Sequence, residues 1–173
     1  RFKVYFRYPL LTSRFLREFR GSSVVFVPSF RHKDVPLAWL LAKISGKKLV
    51  FDPLVSRYET RVLDRGDVGE GSSQAWHNRN IDRLSFTLPD LVIADTGAHA
   101  RYYEADLGVK REKIDVLPVG FDEDIFRKNE KKKMKEPCEV LFFGSFLPLH
   151  GVEVIVKAAA ILIDEPVRFT IIG

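Results

Sequence analysis

The sequence predicts an α/β fold built on a parallel sheet, and three observations carry that expectation. Short apolar runs alternate with helix-period segments along most of the 173 residues, the order expected of strands joined by crossover helices. The apolar runs are rich in Val, Ile, Leu and Phe without polar alternation, as strands buried on both faces are. The helical segments stop at glycine or proline. An apolar content of 46% and a charged content of 29% are ordinary for globular domains.

The first strand candidates are residues 3–6, 24–27, 48–51, 91–94 and 115–117. Leu37, Leu40, Leu41 and Ile44 recur at i, i+3, i+4 and i+7, which predicts a helix on that face, with Asp34 capping its start and Gly46 closing its end. A longer helix is expected over residues 76–87, with Ile81, Leu84 and Leu88 on its buried side and Pro89 ending it. A third follows Thr96, where Ala98, Tyr102 and Ala105 share a face and Gly108 stops the run.

Residues 55–73 break the pattern, because Arg57, Arg61, Asp64, Arg65, Asp67 and Glu70 are mixed with glycine and serine. They read as a partly mobile loop and a candidate ligand-covering segment. Residues 127–135 hold six Lys/Arg against Glu130, and Pro137 then precedes a fresh strand. This organisation gives a first domain over residues 1–126, a basic linker over 127–137 and the opening of a second domain over 138–173. The latter contains a strand over 139–143, a helix over 151–163 and a strand over 167–172. One such unit covers neither the faces nor the edges of its own sheet. Starting at Arg1 and stopping at Ile171, Ile172 and Gly173, the sequence reads as the middle of a longer protein.

Net charge is +5, and residues 1–20 and 127–135 contribute +5 each, leaving −5 for the rest. Such patches suit an anionic surface or a solvated linker. Near the start, Phe2, Tyr5, Phe6, Tyr8, Phe15 and Phe19 interleave with Arg1, Lys3, Arg7, Arg14 and Arg17. Two readings stay open: a peripheral contact with an anionic membrane, or aromatics in the core and cations in water. No zinc-finger or RNP signature accompanies the basic segments, so no nucleic-acid partner is expected. Cys138 is the single cysteine, which excludes an internal disulfide and fits a reducing compartment. The four histidines show no metal-ligand spacing, and no metal is expected.

The segment with the clearest chemistry runs from the 139–143 strand through Gly144, Ser145 and His150 to Gly151, where the next helix begins. A helix start offers unpaired N–H groups and a positive dipole end, hence an anion site, and glycine lets a phosphate approach the backbone. The pattern is neither a Walker A loop nor the three-glycine dinucleotide fingerprint. His150 reads either as a hydrogen-bond donor to a phosphate or as an exposed polar residue.

Residues 113–126, with Val116-Leu117-Pro118-Val119-Gly120-Phe121-Asp122 and then Phe126, are followed by Phe143-Gly144-Ser145-Phe146 and His150-Gly151-Val152. Together these resemble the domain junction of retaining GT-B glycosyltransferases of the family-four type. The resemblance extends upstream through residues 24–108. It implies two Rossmann-like domains: an acceptor-type domain, nearly all present, and the first β-α-β unit of a nucleotide-sugar donor domain. It also implies sugar transfer from a nucleotide-activated donor to a hydroxyl acceptor with retention of configuration, in glycan, polysaccharide or glycolipid biosynthesis. The family's paired glutamates would lie beyond Gly173, so the chain by itself would be inactive.

By the same resemblance, Gly144, Ser145, His150 and Gly151 would bind the donor diphosphate, and Gly120 and Phe121 would line the interdomain cleft. Asp52 would stand where many relatives place a histidine beside the sugar, or else cap the loop it begins. Three departures are visible: Ser145 and His150 replace the usual Arg and Lys, Asp52-Pro53 replaces the histidine, and Val119 replaces the usual Asn. The implied partners are a nucleotide-sugar donor, as co-substrate without a cofactor, and a sugar or lipid-linked acceptor. The implied location is cytoplasmic, at the inner membrane face if the basic-aromatic segment binds lipid. A non-catalytic remnant or binding module is the alternative.

Overall fold

A computed structural model describes residues 6–127 and 137–173, in two compact units, Arg1–Val119 and Gly120–Gly173. The first unit is α/β. In chain order it holds α1 (Tyr8–Glu18), β1 (Val24–Val27), α2 (Val35–Ile44), β2 (Lys48–Phe51), α3 (Ser73–Thr87), β3 (Leu91–Ala94), α4 (Gly97–Ala105) and β4 (Ile114–Val116). Its four strands run parallel in the order β1-β2-β3-β4, with Val24 opposite Lys48, Val50 opposite Leu91 and Val92 opposite Ile114. Parallel neighbours require crossovers, which α2, α3 and α4 supply.

Leu49 and Phe51 from β2 and Val92 and Ala94 from β3 form the centre of the core with Val35, Phe86 and Tyr103. The aromatic part is packed edge to face: Phe51 meets Phe86 at 5.6 Å between ring centroids, and Phe86 meets Tyr103 at 4.6 Å. His32 sits edge-on to Phe51 at 5.2 Å.

Helix positions agree broadly with the sequence pattern, and the expected inward residues Leu88 and Tyr102 pack partly against the core, but the fully buried residues differ. In α2 the buried residues are Val35 and Ala42, while Ile44 is 76% exposed, so the face through Leu40 and Ile44 points outward. In α3 the buried residues are Ala75, Asn78, Asp82, Ser85 and Phe86, whereas Leu84 is exposed. In α4 they are Ala100 and Tyr103, with Ala98 and Ala105 exposed. Asn78 and Asp82 of α3 are buried with the side-chain and backbone partners described below.

Asp34 does not cap α2; its carboxylate accepts from the Arg7 guanidinium instead. Gly46 and Gly108 do close their helices, at φ of 66° and 74°, values that suit glycine. α3 begins one turn earlier than expected because the Ser72 hydroxyl accepts from Ala75 N–H at 3.1 Å. The last strand of the sheet is shifted by one residue from 115–117.

Of the expected strand 3–6, residues 3–5 lie outside the described residues, and Phe6 begins a helical turn that leads into α1. That helix was not foreseen; it has no buried residue. Nor is 55–73 a featureless loop. Glu59–Asp64 form a π-helical segment, and Val62, Val68 and Ala75 close a small core of their own beneath Tyr58.

The second unit contains β5 (Cys138–Phe143), α5 (Val152–Ile161) and β6 (Val167–Ile172), with β5 and β6 parallel and Cys138 opposite Val167. The helix is shorter at both ends than the expected 151–163. None of the described residues of this unit is buried, and Phe143 is 77% exposed. The lysine run of residues 131–135 lies outside the described residues.

Candidate functional site

In parallel α/β sheets ligands meet the carboxyl ends of the strands, and the first unit gathers its chemistry there. After β1 come Pro28, Ser29 and Phe30; after β2, Asp52, Pro53 and Leu54; after β3, Asp95 and Thr96. Asp52 N–H donates to Val27 C=O at 3.0 Å, extending the ladder by one bond beyond β2. Its half-buried carboxylate accepts from the Ser29 hydroxyl at 3.4 Å. Phe30 and Leu54 have φ of 63° and 64°, a conformation that costs a side-chain-bearing residue about 1 kcal/mol or more. Both strained residues stand at this one edge.

At the end of β3, Thr96 caps α4 by accepting from His99 N–H at 3.1 Å. One turn of helix brings the His99 ring back to Asp95, whose carboxylate accepts from Nδ1–H. That bond sets the ring's tautomer and leaves Nε2 as the second reactive nitrogen. The ring stacks on Tyr103 at 5.9 Å with 6° between the planes. Burial, with the charges of Asp95, Glu59 and Asp52 adding to it, holds the Tyr103 hydroxyl well above its ordinary pKa. The Glu59 carboxyl is raised mainly by burial and drawn back by His99. Asp52, Glu59 and Asp95 thus bear on the Tyr103 hydroxyl, and His99 on Glu59.

Sequence reasoning found only Asp52 of this group. The signal for the rest was the four-residue spacing of Asp95 and His99 across a helix start.

Beneath the edge, α3 and the segment after β2 share a buried polar network. Asp82 Oδ2 accepts from the Ser56 hydroxyl at 2.8 Å and from Tyr58 N–H at 2.7 Å. Burial pushes the Asp82 carboxyl up to about 6 despite these bonds and the nearby Arg57 charge. The Ser56 Oγ also accepts from Glu59 N–H at 3.0 Å, so this one hydroxyl starts the helical segment and ties it to α3. His32 Nε2–H donates to Val55 C=O at 2.9 Å. Desolvation, helped by Arg57, lowers its pKa to about 4, so the ring is neutral at physiological pH.

In the second unit, Gly144 ends β5 with φ of 151° and donates its N–H to Ile172 C=O at 2.9 Å. A 3₁₀ turn, Pro148–His150, precedes α5, and Gly151 (φ 61°, ψ 32°) is its N-cap. His150 Nδ1–H donates to Ser145 C=O at 2.5 Å, and its ring sits against Phe142 at 6.1 Å. The structure thus brings Gly144, Ser145, His150 and Gly151 together in one turn. His150 spends Nδ1 on closing it, and both Ser145 and His150 are exposed. Glu153 occupies the first turn of α5, a negative charge at the end where an anion would sit. Gly120 opens this unit, and Phe121 is exposed.

Among the described residues, no group of three or more His, Cys, Asp or Glu side chains could hold a metal ion, and no helix is long and apolar enough to cross a membrane.

Comparison with known proteins gives one significant curated relative. The chain is 26% identical over 113 residues to the D-inositol 3-phosphate glycosyltransferase of Acidothermus cellulolyticus. The match takes in 61% of this chain and 24% of that enzyme, so the chain spans about a quarter of the relative's length. No family model matches. Among solved structures, Anabaena Alr3699/HepE in complex with UDP-glucose superposes with a TM-score of 0.47 at 13% identity, over 94% of this chain and 52% of that one. The same protein with UDP and glucose gives 0.49 at 13% identity, over 95% and 52%.

Proposed function

We propose that the chain is part of a retaining glycosyltransferase that moves a sugar from a nucleotide-activated donor to a hydroxyl acceptor. The observation that carries this reading is the similarity to a glycosyltransferase over 113 residues, in a chain that builds a parallel sheet and then a second strand-turn-helix. In the reaction, the bond from the sugar's anomeric carbon to the diphosphate oxygen breaks and the acceptor oxygen bonds to that carbon. The acceptor's hydroxyl proton passes to the departing diphosphate or to water. Negative charge grows on the diphosphate, and preorganised N–H donors are the economical way to stabilise it.

In this proposal Gly144, Ser145, His150 and Gly151 shape the turn that receives the diphosphate, with backbone N–H groups at the start of α5 replacing the fixed cations that Ser145 and His150 lack. His150 contributes Nε2. Asp52 lies on the acceptor side. For Gly120 and Phe121 the proposed place is the turn between the domains, with residues 119–137 as the hinge. The proposed location is the cytoplasmic side, the acceptor is a sugar or a lipid-linked sugar, and the reaction uses no metal.

The test is expression of the complete reading frame that contains these residues, incubated with UDP-, GDP- and ADP-sugars and a panel of hydroxyl acceptors. Nucleoside diphosphate release and a product with the donor's anomeric configuration by NMR are expected. A folded protein that releases no nucleoside diphosphate from any donor overturns the reading in favour of a binding module. An inverted anomeric centre overturns retention alone.

A further inference from the structure

A second feature of the first unit stands apart from the turn at Gly144. Phe30, His32, Val55, Ser56, Arg57, Thr60, Arg61 and Arg65 enclose a cavity of about 170 Å³. That is roughly five waters' worth at about 30 Å³ each, room for a compact oxyanion. Three of the lining residues are arginines, spaced at i, i+4 and i+8.

Two details of the local structure put them there. First, the segment changes from α-helical at Arg57 and Tyr58 to π-helical over Glu59–Asp64, with Arg65 N–H donating to Thr60 C=O at 3.1 Å. A spacing of four residues is close to one turn of either helix type, so the arginines stay near one side of the segment. Second, Phe30 reaches the cavity from a left-handed backbone position, a strained conformation of the kind that gathers at binding sites.

The positive charge is incompletely answered. Arg57 gives one N–H to Asn78 Oδ1 at 3.3 Å, yet its Nε is buried without an acceptor. Asp82 lies near enough to favour its charge, while Arg61 works against it. Arg61 is paired with Asp67 at 2.9 Å. Arg65 forms no ion pair among the described residues. Of the three arginines, one is half-buried with an unused donor, a second is paired with a carboxylate, and the third has no carboxylate partner among the described residues.

We propose that this cavity binds a phosphate monoester, whose oxygens match the fork geometry of guanidinium groups. The Arg57 Nε–H and the Arg65 guanidinium are the donors it would recruit. The site stands independently of the glycosyltransferase reading; where that reading holds, the phosphate belongs to the acceptor rather than to the donor.

Calorimetry on the full chain tests this with inorganic phosphate, glycerol 3-phosphate, and phosphatidylcholine vesicles with and without phosphatidic acid, all at one ionic strength. Saturable binding is expected. Arg65→Gln, at an exposed position, is expected to weaken it by roughly tenfold, the size of one charge-assisted hydrogen bond, with an unchanged thermal melt. Arg83→Gln, an exposed arginine on α3, is expected to leave it unchanged.

Saturation by glycerol 3-phosphate identifies a soluble monoester. Binding restricted to phosphatidic-acid vesicles and lost in Arg65→Gln identifies a lipid-borne one. The proposal is overturned by the absence of saturable binding to every phosphate probe, by binding that Arg65→Gln leaves intact, or by equal losses in Arg65→Gln and Arg83→Gln.

Discussion

Replacing Asp82 by Asn is expected to stabilise the protein at neutral pH, although Asp82 is fully buried and accepts two short hydrogen bonds. The folded carboxyl titrates near 6 against an ordinary 3.8, so the folded chain holds its proton across a window where the unfolded chain has released it. A group whose folded pKa is raised contributes most stability below about pH 4 and loses it as pH rises to about 6. The displacement is about two units, or about 3 kcal/mol between the ends of that window.

Asn resembles the protonated acid in shape and charge, and its Oδ1 can accept from Ser56 Oγ and Tyr58 N–H. The stability difference between Asp82→Asn and the wild type should therefore be near zero at pH 4 and grow with pH, reaching at most about 3 kcal/mol by pH 7.

His32 titrates in an overlapping window with the opposite sign. Its folded pKa of about 4 lies below the ordinary 6.5, so its contribution is lost as pH falls from about 6.5 to about 4. The two slopes offset between pH 4 and 6, and wild-type stability should be nearly flat there with respect to these two groups. Urea unfolding followed by circular dichroism at half-unit steps from pH 4 to 7 gives the comparison. A variant less stable than wild type at pH 7, or a difference that does not grow with pH, would refute the burial argument.

Two further outcomes follow from the packing. Phe86→Ala removes the ring that touches His32, Phe51 and Tyr103 and should destabilise by about 3–5 kcal/mol, seen as a lowered midpoint in the same urea experiment. Gly151→Ala places a Cβ with no closer neighbour than Val154 at 3.9 Å, so its cost is backbone strain of about 1–2 kcal/mol rather than a clash; a melt unaffected by the change would show that the turn relaxes away from its left-handed form.

The parallel sheet was legible in the sequence because its strands are uninterrupted apolar runs, as at Val24–Val27 and Leu91–Ala94, although only Val27 of the edge strand β1 is buried. Helix faces were not. Reading α3 by its large apolar residues selected Ile81, Leu84 and Leu88; Leu88 packs partly against the core, but Leu84 is exposed, and the fully buried side carries Ala75, Asn78, Asp82 and Ser85 beside Phe86. Apolar periodicity registers the transfer of side chains out of water, and it is blind to a face whose burial is compensated by hydrogen bonds to another segment.

The same blindness turned residues 55–73 into a loop, because the partners that order it, Ser56 with Asp82 and Arg57 with Asn78, are 26 and 21 residues apart in sequence. Of the candidate site, the glycine turn was legible from local spacing. The Asp95–His99 pair is equally local, four residues apart across a helix start, but neither an apolar period nor a glycine marks it.

The violations of ordinary folding rules are not scattered over the first unit. Among the described residues, the two non-glycine residues with positive φ, Phe30 and Leu54, follow the ends of β1 and β2. The π-helical segment begins five residues after Leu54. The buried atoms without partners belong largely to the residues that these segments and α3 bring together: His32 Nδ1, Arg57 Nε, Glu59 Oε2, Asn78 Nδ2, Asp82 Oδ1 and Tyr103 Oη.

Each such group costs about 1–3 kcal/mol when left unsatisfied, and a fold selected for stability alone would have replaced several with apolar residues of similar volume. Local rules broken together at the carboxyl edge of a parallel sheet, with a sound core immediately beneath, are the signature of a site maintained for a ligand. The cost is concentrated where a nearby hydroxyl or phosphate could recover part of it. On the proposal made above, the segment joining Asp52 to Arg65, more than the glycine turn, is the place where binding should be sought first.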